Sequence, residues 1–190
     1  MSEPRSNPLL LMRHGETDWN RSQLVQGQED QSRLTDEGRD QVGEVASSLA
    51  FESLTLIIAS DLGRAQETAA IAGKILGLEI VSSDLLRERD FGTFEGGPRS
   101  ALVPDVTGIR NDVVVDPSAR PDGGETLHEM AERAEDFLHL VAEKWSGEKL
   151  LVVTHGGTIR VLEAVASHTP LLGSPWGTVD NCSLWRISPW

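Results

Sequence analysis

Two histidines stand at equivalent places in the chain, His14 in Arg13-His14-Gly15-Glu16-Thr17 and His155 in Thr154-His155-Gly156-Gly157-Thr158. Each follows a short, wholly apolar run, Leu9 to Met12 and Leu150 to Val153, that ends abruptly in polar residues and glycine. Such a run reads as a buried strand feeding a loop, which puts both imidazoles at strand carboxyl ends. In open α/β sheets ligands collect in the crevice beyond those ends, where loops and helix N-termini present backbone N–H groups. Two imidazoles meeting there suit a shared anion.

Two arginines are placed to join them. Arg13 adjoins His14, and Arg64 follows Ser60-Asp61-Leu62-Gly63, again just past an apolar run and at the opening of a helical stretch. A guanidinium is always charged and offers a planar fork matched to phosphate oxygens, each charge-assisted bond contributing roughly 1.5–3 kcal/mol. Gly15, Gly156 and Gly157 would let backbone approach such a ligand closely. Attack on phosphorus needs an unprotonated imidazole nitrogen, and the Arg13 charge disfavours the imidazolium of His14. Glu16 and Asp18 near the histidines raise the thought of a metal, but no helix pairs two ligands at i, i+4 and no cysteine cluster helps. No metal is expected. His128, His139 and His168 read as structural or solvent-exposed, and Arg99, Arg110 and Arg120 as solvated.

The elements that must position these groups follow from periodicity. Thr35 can cap a helix carrying Val42, Val45, Ala46 and Leu49 on one stripe. Leu54 to Ala59 is a second buried-strand candidate, and Arg64 to Leu76 reads as an Ala-rich helix stopped by Gly77. Leu127, Met130, Ala131, Ala134, Phe137, Leu138, Val141 and Trp145 keep helical period for about five turns. A third strand at Leu150 to Val153 feeds an apolar helical stretch through Val165, and Ser183 to Ile187 reads as an edge strand. Strands without polar alternation, separated by amphipathic helices, indicate an α/β fold: a three-layer α/β/α sandwich around a mostly parallel sheet. Between Gly96 and Gly124 prolines and glycines break the pattern, and residues 97–123 read as an irregular segment covering the substrate.

The bulk numbers set bounds. The 190 residues fit one domain, and 38% hydrophobic with 25% charged residues is an ordinary globular mixture. A net charge of -13 with no basic stripe argues against a nucleic-acid partner. Cys182 is the only cysteine, which forbids an intrachain disulfide and favours a reducing compartment. The stretch from Met1 to Pro8 is polar and the apolar run after it is far too short to span a membrane, so a cytoplasmic location without membrane association is expected.

With those residues in view, the run through Arg13-His14-Gly15-Glu16-Thr17, with Asn20 three residues on, resembles the signature of the histidine phosphatase (phosphoglycerate mutase-like) superfamily. The resemblance continues in order through Gln26-Gly27, Leu34-Thr35 to Gly38, Ser60 to Thr68, Leu86 to Gly92 with Glu88 within it, Gly123 to Glu125, and His155-Gly156-Gly157. It departs between Gln26 and Thr35, where there is one more residue and no proline.

The resemblance implies that His14 is a nucleophile forming a phosphohistidine that water hydrolyses, that Arg13, Arg64 and His155 hold the phosphoryl oxygens, and that Glu88 is the proton donor. It implies Asn20, Gln26, Gly27 and Gly156 beside the substrate, a small phosphorylated metabolite, with no cofactor. A carboxyl donor must keep its proton near neutral pH, which burial or the incoming phosphate charge favours. Guanidinium and imidazole charge can stabilise the loose transition state without magnesium. Glu125 reads as complementing the positive end of its helix, in a region that borders the pocket in the family. Two rivals stand beside the phosphatase reading. One is a cofactor-dependent phosphoglycerate mutase, disfavoured because Phe91-Gly92-Thr93-Phe94 replaces the family's Tyr-Gly-Gly-Leu run and the chain ends soon after its last strand. The other is a non-catalytic phosphate-binding module, disfavoured by the intact His14, Arg64, Glu88 and His155. Oligomeric state, a homodimer included, is left open.

Overall fold

A computed structural model describes residues 7–188; residues 1–6 of the polar N-terminal stretch and residues 189–190 lie outside the described residues. Its centre is a five-stranded sheet. The strands are β1 (Leu9–Arg13), β2 (Leu56–Ser60), β3 (Ile80–Ser83), β4 (Leu150–Thr154) and β5 (Leu184–Ile187), in the order β3-β2-β4-β1-β5. The first four are parallel, and β5 runs antiparallel beside β1.

The absence of polar alternation in β1, β2 and β4 has the expected cause, because both faces of these strands are covered. Successive side chains point to opposite sides. Leu9 and Leu11 therefore join one core with Ile58, Leu150 and Val152, while Leu10 and Met12 join the other with Ile57, Leu151 and Val153. Helices α1 (Asp36–Ser48) and α2 (Gly63–Leu76) cover the second core; α3 (Leu127–Lys144) and α4 (Gly156–Ala166) cover the first. This is the three-layer sandwich.

Local chemistry sets the helix ends. The Thr35 side chain accepts from the Gly38 N–H at the start of α1, and Thr126 with Glu129 forms a reciprocal capping box at the start of α3. Gly77 ends α2 in the left-handed region at φ 68°. β3 escaped the sequence reading because its burial alternates on an edge and it has no continuous apolar run.

The segment 97–123 is less irregular than its composition suggests. It holds a 3-10 turn at Arg99–Ala101, a helical turn at Pro104–Thr107 and a small antiparallel pair, Ile109–Arg110 with Val113–Val114. Its anchor is Arg89, 1% exposed, whose Nε, Nη1 and Nη2 donate to the carbonyls of Glu125, Thr107 and Ala119. Burial pushes this guanidinium down to about 10. Among the described residues no helix is long and apolar enough to cross a membrane.

Candidate active site

β1 and β4 are hydrogen-bonded neighbours whose last residues, Arg13 and Thr154, are in register. The next residue of each chain segment is a histidine, so parallel pairing alone brings His14 and His155 side by side. Their rings stand 5.2 Å apart at 61°, edge to face, and both are essentially buried. The N–H of His14 donates to the carbonyl of Thr154, locking the two loop starts together.

His14 Nδ1 lies 2.8 Å from the Gly15 carbonyl. A carbonyl only accepts, so Nδ1 carries the ring hydrogen and a neutral His14 keeps its lone pair on Nε2. Burial first, then the charges of Arg13 and Arg64, holds His14 well below the usual 6.5. The same causes, burial foremost and then Arg64 and His14, depress His155. Both imidazoles are neutral at neutral pH.

Arg64 sits in the first turn of α2 and is 1% exposed. Its Nη2 donates to the Gly27 carbonyl at 2.6 Å and its Nη1 to the Glu29 carbonyl at 3.1 Å; burial lowers it to about 10. Arg13 Nη1 donates to the Val179 carbonyl at 2.6 Å. Three buried side-chain atoms among the described residues lack a hydrogen-bond partner: Arg13 Nε, Arg64 Nε and His155 Nδ1. Buried polar groups in folded proteins are nearly always satisfied. That all three orphans fall on residues singled out for anion binding is the strongest feature of the site.

Glu88 follows a short turn after β3. Its Oε2 accepts from the Gly157 N–H at 3.0 Å, at the N-terminus of α4, and its Oε1 from the Arg89 N–H. Arg13, His14, Arg64 and Glu88 line one cleft together with Asn20, Gln26, Gly27 and Gly157. The Asn20 Oδ1 accepts from Thr17 and Asn181, and Gln26 Oε1 accepts from Ser32.

His155 is completely buried beside His14, with Nε2 2.9 Å from Ser60 Oγ and Nδ1 unpartnered. Gly156 packs beside Arg13 and Val179, and Gly157 lines the cleft. Other sequence expectations need correction. Gly15 serves packing rather than ligand approach, since a Cβ there would stand 2.7 Å from the Gly38 carbonyl oxygen and 2.9 Å from Val42 of α1. Glu125 precedes the cap of α3 and is ion-paired to Arg133 at 2.7 Å, so it serves a guanidinium rather than the helix end. Arg99, read as solvated, is exposed but stands in the cleft lining, whereas Arg110 is exposed away from that lining and Arg120 bonds Glu129. His128, His139 and His168 are exposed, as expected. Sequence reasoning missed Arg89, Arg133 and Trp176. Only Arg87-Glu88-Arg89, charges directly after the buried Leu86, gave any signal.

Comparison with known proteins places this geometry in context. The family profile of the histidine phosphatase superfamily (branch 1) matches residues 9–190. The chain is 35% identical over 190 residues to a probable phosphoglycerate mutase of Cronobacter sakazakii, spanning 96% of this chain and 86% of the relative. Among solved structures it is similar to a mycobacterial glucosyl-3-phosphoglycerate phosphatase in complex with VO3, at TM-score 0.85 and 30% identity over 96% of this chain and 93% of that one. It is also similar to YhfR of Bacillus stearothermophilus, at TM-score 0.83 and 32% identity over 95% and 90% of the two chains.

Proposed function

The chain belongs to the histidine phosphatase superfamily (branch 1), and from that premise we propose that it hydrolyses a small phosphomonoester through a phosphohistidine on His14. The observation that carries this reading is the trio of unpartnered buried atoms on Arg13, Arg64 and His155, two of them guanidinium N–H groups, grouped about a neutral imidazole with a free lone pair. With the Ser60 hydroxyl donating to His155 Nε2, the ring hydrogen of a neutral His155 sits on Nδ1 and offers a third donor.

In the proposed reaction His14 Nε2 attacks phosphorus as the ester P–O bond breaks, and Glu88 gives its proton to the departing alkoxide. Water then attacks the phosphohistidine, passes a proton to Glu88, and releases phosphate with His14 restored. Arg13 and Arg64 meet the charge on the equatorial oxygens, so positioned donors supply what a metal supplies elsewhere. Asn20, Gln26, Gly27 and Gly157 border the substrate. The phosphatase named among the similar structures, solved with VO3, supports hydrolysis. The single buried thiol fits a cytoplasmic setting.

A second reading, phosphoryl return to a substrate hydroxyl, is favoured by the mutase names of the sequence relatives. Release of inorganic phosphate from p-nitrophenyl phosphate, set against 2,3-bisphosphoglycerate-dependent isomerisation of 3-phosphoglycerate, separates the two. Hydrolysis with an acid-labile phosphoenzyme is expected, and isomerisation without hydrolysis would overturn the proposal.

A further inference from the structure

Glu95 is a half-buried carboxylate that the proposed reaction does not use. Its Oε1 accepts from main-chain N–H groups on two different loops, that of Gln28 at 2.8 Å and that of Phe91 at 2.9 Å. The turn of Phe91 has supports of its own: the Asp90 carbonyl accepts from the Glu125 N–H, and the Thr93 N–H donates to the Asp122 carbonyl. Glu95 therefore ties the 27–29 stretch to a turn that is already held. Gly27 permits the approach, because a Cβ there would overlap Glu95 Oε1, and its φ of 52° lies in the left-handed region.

The same stretch meets Arg64. The Gly27 carbonyl, which accepts from Arg64 Nη2 at 2.6 Å, and the Gln28 N–H, which donates to Glu95, belong to one peptide group. That group is planar, and in the trans form its C=O and N–H point opposite ways. A carboxylate thus holds one edge of the plane and a guanidinium the other, a chain in which each bond polarises the next. Without Glu95 the plane beside a glycine is free to turn, and the carbonyl turns with it. Arg64 places Nη2 on Gly27 and Nη1 on Glu29, which leaves Nε as its unpartnered buried donor. The aim of Nε depends on where the Gly27 carbonyl points.

We infer that Glu95, on the phosphatase reading above, is a positioning residue that orients the Gly27–Gln28 peptide so that Arg64 Nε meets the transferred phosphoryl group. Glu95 stands outside the cleft lining and acts through Arg64.

The test is a double-mutant cycle in kcat/KM on p-nitrophenyl phosphate, with far-UV circular dichroism establishing that each variant is folded. Glu95→Asp draws the oxygen back by one methylene and Glu95→Ala removes it; each should lower kcat/KM about tenfold. Glu95→Gln keeps an oxygen for both N–H groups and should lose less than about threefold. In the Arg64→Lys background, where no fork reads the carbonyl, Glu95→Asp and Glu95→Ala should each cost less than about twofold. An equal loss in both backgrounds marks a merely structural role and overturns the inference, as does no loss in the parent background. Glu95→Gln as slow as Glu95→Ala makes charge rather than the held peptide the cause and overturns it too. If Glu95→Ala does not fold, Glu95→Asp alone decides. All of these outcomes leave the phosphatase reading standing. If the unaltered protein turns over no ester, that reading fails, and calorimetric titration with inorganic phosphate decides the placement: binding about fivefold weaker in Glu95→Asp upholds it, and equal binding or none overturns it.

Discussion

Arg133, on α3, donates through Nη2 to the main-chain carbonyl of Glu88 at 3.2 Å while its Nε grips Glu125 at 2.7 Å. Its Nη1 reaches the Leu85 carbonyl, so one guanidinium holds both sides of the turn that presents Glu88. The ion pair is only 14% exposed at each partner. Removing one member leaves the other poorly solvated, and Arg133→Met should cost about 2–4 kcal/mol in chemical denaturation. A merely structural role would slow all esters alike. Loss of Glu88 positioning instead lowers kcat about tenfold on alkyl phosphates and less on p-nitrophenyl phosphate, whose leaving group needs little protonation.

The Nδ1–H of His14 is committed to Gly15, which leaves Nε2 for phosphorus. His14→Ala should lower kcat by at least about a thousandfold and abolish the acid-labile phosphoenzyme trapped by rapid quench. Retained labelling in that variant would show that another residue is phosphorylated.

Arg64→Lys keeps a positive charge but loses the fork and the Nε donor. A drop in kcat/KM of about a hundredfold is expected. Phosphate should raise the Tm of the unaltered protein and fail to do so in the variant. An unchanged phosphate shift in Arg64→Lys would mean that the unpartnered Nε does not meet the anion.

Much of this site was legible because parallel pairing turns sequence into proximity: residues one past the ends of β1 and β4 must be neighbours. The roles of glycines were not legible in the same way. Gly15 and Gly38 permit a close approach of loop and helix, which depends on the distance between elements far apart in sequence. β3 was hidden by its alternating edge character, and Arg89 by the fact that its partners are carbonyls, which no residue type announces. Gly15→Ala tests the packing reading: with backbone only 2.7 Å from the new Cβ, a loss of about 1–3 kcal/mol is expected in urea denaturation.

The two buried imidazoles give the protein a pH dependence of stability separable from that of its carboxylates. Both histidines are held well below the usual 6.5, burial being the largest cause. Above the unfolded value neither state binds the proton, so the contribution is flat. As pH falls through about 6.5 the unfolded chain takes up two protons that the folded chain refuses, and stability falls by about 1.4 kcal/mol per pH unit for each histidine until the folded groups titrate. Urea denaturation at pH 7 and pH 5.5, in buffer free of phosphate, should show this loss above the range where most carboxylates titrate. His155→Asn removes one of the two groups and should reduce the slope by about half. An undiminished slope in that variant would mean that His155 carries its proton in the folded state, and that its Nδ1 orphan has another explanation than a donor held ready for phosphate.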